Sequence, residues 1–146
     1  MATEDYVSYE VAKRLKAAGF DWPCSHYYCA FDNETDVRFW SVHPEQSQND
    51  FTNPDGKVIA DAPSLYVAQK WLRERAGLNV GVYPAIPFNK WQYWIDDLRQ
   101  YINPTNGELM TRWDEDDDEL VGKLTFSTYE SALSAGIARA LELIDC

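Results

Sequence analysis

Four residues, Cys24, His26, Cys29 and His43, are of the types that hold zinc, and Cys24-x-His26 offers two ligands from one face of a strand. Strand alternation, however, sends Cys29 to the opposite face, and the spacing matches none of the paired Cys-x-x-Cys patterns. Buried free cysteines are the competing account of the same residues. The run Asp114-Glu115-Asp116-Asp117-Asp118-Glu119 has oxygen ligands for a hard cation such as calcium, but it lacks the glycine and the spaced bidentate glutamate of an EF-hand loop. It reads as a solvated acidic connection.

A third set is aromatic: Trp40, Trp91, Tyr93, Trp94 and Trp113, a possible platform for a sugar or a peptide. On a strand, Trp91, Tyr93 and Ile95 share one face, and Gln92, Trp94 and Asp96 share the other. If the first face is core, Trp94 is the ring left towards solvent. Trp94 and Trp113 are the ligand-binding candidates, and Cys24 and His26 the metal candidates.

Catalysis finds little support. His26 and His43 are the only histidines, and no serine occupies a G-x-S-x-G elbow. Cys24 and Cys29 have no basic neighbour to activate a thiol. Asp96 and Asp97 are adjacent on a strand, so their side chains diverge and cannot work as a carboxylate pair. The chain has no glycine-rich strand-to-helix turn of a dinucleotide site, so no cofactor is implied.

These residues must be positioned by elements the sequence also writes. Ser8 caps a helix over Tyr9 to Ala18, with Val11, Ala12, Leu15 and Ala18 on one face and Gly19 as its stop; Phe20 falls where a Schellman motif places a contact with Leu15. Cys24 to Phe31 and Asp36 to Val42 read as a hairpin turning at residues 32–35. Residues 43–55 form a loop, and Gly56 to Ala60 a short strand. Ser64 caps a central helix with Leu65, Ala68, Trp71 and Leu72 on one face, ended by Gly77. Leu78 to Tyr83 alternates as a strand until Pro84-Ala85-Ile86-Pro87 breaks it. Lys90 to Ile102 is extended, with a bulge at Asp96-Asp97, and pairs back with Glu108 to Trp113. Leu120 to Phe126 supplies a last strand. Ser127-Thr128-Tyr129-Glu130 then matches a capping box. In the helix that follows, Ala132, Gly136 and Ala140 lie four apart, which lets a sheet approach closely.

The expected fold class is α+β: one domain over residues 1–146, a mainly antiparallel sheet packed by about three helices in the order α-β-β-α-β-β-β-α, sandwich-like. At 146 residues, with 14% aromatics, one ring-rich core suffices. The net charge is -11. Residues 1–60 carry ten acids against five bases, residues 61–101 four against five, and residues 102–146 ten against three. With acidic ends and no basic cluster, direct binding to nucleic acid or to an anionic membrane is not expected. Three cysteines, an acidic start and no apolar run long enough for a bilayer point to a cytoplasmic protein with reduced thiols.

Four segments are familiar together: Ala18-Gly19-Phe20-Asp21 with Pro23-Cys24, the Ala62-Pro63 helix centred on Trp71-Leu72-Arg73, Trp91-Gln92-Tyr93, and Thr128-Tyr129-Glu130-Ser131-Ala132 leading to Ile144. In these the chain resembles small proteins carried by phages and prophages of gut bacteria, a family with no established activity. The resemblance implies a phage- or prophage-related accessory protein acting through contacts with another protein. Two alternatives accompany it: an acidic DNA mimic that inhibits a host nucleic-acid-binding protein, and a small-molecule or metal-dependent enzyme.

Overall fold

The computed structural model describes residues 5–31, 36–41, 57–86, 89–102, 105–107, 109–113 and 125–144. The expected turn at residues 32–35, the loop at 43–55 with His43, and the acidic run at 114–119 lie outside the described residues, as does all but the end of the expected strand at 120–126. Cys146 lies outside them too. The described elements are α+β: three α-helices and two antiparallel sheets of three strands each. The chain divides into two compact units, Met1–Tyr66 and Val67–Cys146.

In the first unit, helix α1 (Tyr9–Ala17) starts where Ser8 Oγ accepts the Val11 N–H at 3.3 Å. Gly19, at φ +99°, ends it. Its N–H reaches the Lys16 carbonyl and the Phe20 N–H reaches that of Leu15, the two bonds of a Schellman motif. Strands β1 (His26–Phe31), β2 (Asp36–Ser41) and β3 (Lys57–Asp61) form the sheet β2-β1-β3. β3 pairs with β1, with a bulge between Tyr28 and Cys29. β1 begins at His26, two residues later than Cys24, because the stretch Asp21 to Cys24 takes no ladder partner. Val7, Val11, Leu15, Tyr27, Cys29 and Ala60 are among the buried side chains.

Helix α2 (Leu65–Trp71) runs directly into a π-helical turn, Leu72–Ala76, in which the Gly77 N–H bonds the Leu72 carbonyl five residues back. Apolar spacing fixes the extent of this helix but not the widening of its last turn, since five residues do not separate the two periods. Leu65, Ala68, Trp71 and Leu72 are buried as the stripe predicts.

In the second unit, β4 (Leu78–Ala85), β5 (Lys90–Ile102) and β6 (Leu109–Trp113) form an antiparallel meander. β4 does not stop before Pro84, as expected, but runs through it. Pro84 stands opposite Trp91, whose own N–H and carbonyl both bond Phe126. The position therefore asks no hydrogen bond of the proline, and β4 lies at a sheet edge, where proline is tolerated. Phe126 is the described end of the expected 120–126 strand and makes an isolated antiparallel bridge with Trp91. Helix α3 (Tyr129–Leu143) packs on β4 and β5. Its cap is Thr128, one residue later than the capping-box frame: Thr128 Oγ1 accepts the Ser131 N–H at 3.0 Å. A Cβ on Gly136 would lie 2.6 Å from Val80 Cγ1 and 3.1 Å from Tyr93 Cγ, so the helix backbone touches the sheet there. Among the described residues no helix is long and apolar enough to cross a membrane.

Candidate functional site

The outward face of β4 and β5 is set by alternation and register. Leu78, Val80, Tyr93 and Ile95 point inward and are buried, which leaves Asn79, Gly81 and Tyr83 on one strand beside Asp96, Trp94 and Gln92 on the other. Trp94 stands opposite Gly81, and it is the exposed ring, at 37% of its surface. A Cβ built on Gly81 would lie inside contact distance of three adjacent atoms of the six-membered ring, Cζ2, Cη2 and Cε2, at nearly equal range. An edge-on ring would make one of those distances much the shortest. The indole therefore lies flat on the glycine, with its other face outward.

Two further contacts fix the ring. Trp94 Nε1 donates to Asp96 Oδ2 at 3.1 Å, and the Tyr83 ring leans on it with centroids 5.7 Å apart. Asn79 Nδ2 donates to the same Asp96 Oδ2 at 3.1 Å. Asp96 is thus bound through one oxygen by two neighbours of its own face. Leu98, also exposed, follows along β5. Trp113, the other ligand-binding candidate, is the register partner of Asp96 on β6, so both candidates adjoin one residue; only the backbone of Trp113 is described.

Asp97 goes the other way, as the argument against a carboxylate pair requires. It is buried, and Arg99 grips it with Nε to Oδ1 at 2.9 Å and Nη2 to Oδ2 at 2.7 Å. Arg99 Nη1 also donates to the Ile144 carbonyl at the end of α3, 2.8 Å away. The bulge lies between Asp97 and Gln100, slightly beyond the expected position. The Asp97–Arg99 contact is a structural ion pair that ties strand to helix.

In the first unit the metal candidates are placed differently from each other. His26 opens β1 in a triangle of rings with Tyr6, 4.3 Å away, and Phe39, stacked at 5.1 Å and 15°, which themselves lie 5.3 Å apart. Its Nδ1 is hydrogen-bonded to Ser25 Oγ at 2.8 Å, and burial lowers its pKa. Cys24 precedes the strand, so alternation does not carry it onto the face of His26. Its thiol donates to the Trp22 carbonyl at 3.4 Å. Burial, and then the Asp61 carboxylate, push its pKa up to about 12. That is a protonated thiol, the opposite of an activated nucleophile. Asp61 is itself raised by burial, with Lys16 acting against the shift. Among the described residues no three His, Cys, Asp or Glu side chains gather as a metal site would need.

Sequence reasoning placed Trp94 outward with Gln92 and Asp96 on its face, but missed Asn79 as a companion and Gly81 as its floor. A signal existed, because an isolated glycine within an alternating strand marks a close approach, and here the approaching group is the ring opposite. Asp97 and Arg99, two apart on the expected strand, share a face by the same alternation, a signal that sequence reasoning did not use.

Comparison of the chain with models of protein families, with curated proteins and with solved structures returns no match in any of the three.

Proposed function

We propose that this chain is a non-enzymatic accessory protein of phage or prophage type that acts by binding another protein, and that the outward face of β4 and β5 makes the contact. The observation that carries this reading is Trp94: a large ring held flat and rigid on Gly81 with its outer side in water. An indole in such a position loses little conformational freedom when covered, which makes it an efficient anchor for a partner. Among the described residues three carboxylates sit in structural pairs, Asp36 with Arg38, Asp97 with Arg99 and Glu142 with Arg139, which leaves Asp96 beside Trp94 as the carboxylate of the proposed face.

Lys90 begins β5 and is exposed, which makes it a reporter for this contact. Amine-reactive cross-linking in the native cell is expected to join Lys90 repeatedly to one other protein. Cross-links confined to Lys13 and Lys16 of the first unit would place the contact elsewhere.

A further inference from the structure

The polar atoms around Trp94 have a bias that defines what the face accepts. The indole N–H is spent on Asp96 Oδ2, and one Asn79 N–H is spent on the same oxygen. What remains at the edge of the ring is Asp96 Oδ1 and Asn79 Oδ1, two acceptors that make no hydrogen bond among the described residues, together with the second N–H of the Asn79 amide. The outer face of the indole is electron-rich, as is that of the Tyr83 ring leaning on it. A flat aromatic surface bordered by acceptors and one carboxylate complements a ligand that is planar, cationic and rich in donors. The nearest base along the strand, Arg99, three residues from Asp96, bonds Asp97 and the Ile144 carbonyl, and Lys90 at the start of the strand lies six residues, or about 20 Å, from Asp96. The chain as a whole carries a net charge of -11, which draws cations towards it.

We infer that Trp94 and Asp96, with Asn79, form a recognition site for an arginine side chain presented by the partner protein. The guanidinium stacks on the outer face of the indole and directs N–H groups at Asp96 Oδ1 and Asn79 Oδ1. This inference rests on the protein-binding reading above and adds the chemistry of the partner. A sugar fits less well: its hydroxyls ask for donors as well as acceptors, and with the indole N–H engaged the second Asn79 N–H is the one donor left on these three side chains. An ammonium fits less well than a guanidinium because it is compact and cannot stack while bonding sideways.

The test needs only the purified full chain. The indole N–H resonance of Trp94, assigned by its loss in Trp94→Phe and by backbone connectivity, is followed during titration with acetyl-Gly-Arg-Gly-amide. Saturable shifts with a dissociation constant on the order of millimolar are expected for one exposed side chain. Asp96→Asn keeps an acceptor for Trp94 and Asn79, so the face is preserved while the charge is lost. It should weaken binding by about fivefold or more. The lysine counterpart of the peptide should bind more weakly than the arginine peptide. No response to the arginine peptide, an unchanged affinity in Asp96→Asn, or an equal response to a methyl glucoside would overturn the inference. If Lys90 still cross-links to a partner, those results leave the protein-binding reading standing and remove only the arginine.

Discussion

At the scale of single residues, Trp94 shows how much a strand pattern can say. Alternation alone put it on the outward face, and the structure adds why it stays rigid there: Gly81 leaves a floor and Asp96 holds the N–H. Because its inner face still covers the sheet, Trp94→Ala is expected to lower stability by about 1–2 kcal/mol in chemical denaturation, less than a fully buried tryptophan would cost. A loss of 4 kcal/mol or more would make it a core residue instead. His26 illustrates what the sequence hides, since its neighbours Tyr6 and Phe39 come from other segments. Burial lowers its folded pKa below the ordinary 6.5, so the unfolded chain takes up the proton first. The stability it contributes is present above pH 6.5 and is lost as pH falls through its lowered folded value. The raised pKa of Asp61 acts in the opposite direction, because the folded state holds that proton more tightly. Denaturation midpoints between pH 7.5 and 5 should therefore fall for the natural chain and fall less for His26→Gln.

At the scale of elements, local signals carried far. The Ser8 cap, the Gly19 and Gly77 stops and the apolar stripe of α3 were all readable, and the cap of α3 to within one residue, because each depends on a few neighbouring residues. What was not readable depends on register between strands. Pro84 inside β4 is tolerated only because Trp91 turns its hydrogen bonds to Phe126. The small residues of α3 were recognised from spacing, and the structure identifies Gly136 as the point of closest approach. Alanine there gains about 1 kcal/mol in helix propensity but drives its methyl into Val80 and the Tyr93 ring. We expect the clash to win, with Gly136→Ala destabilised by about 1–2 kcal/mol in thermal denaturation. A more stable variant would show that the helix can lift away from the sheet at little cost.

At the scale of the whole molecule, composition told more about what the chain does not do than about its partner. Its fold class was legible because helix and strand periods are distinct, whereas the two three-stranded sheets are a matter of long-range pairing. The candidate face was half legible: its ring and the Asp96 on the same face could be named, but its glycine floor and Asn79 could not. The account stands on that face being a protein-binding surface. Affinity capture from the native cell tests it most directly, comparing the natural chain, Trp94→Ala and a control altered away from the face, Arg75→Ala. The prediction is one protein retained by the natural chain and by Arg75→Ala and lost by Trp94→Ala, at a concentration where all three are folded. Retention of that protein by Trp94→Ala at undiminished yield would contradict it.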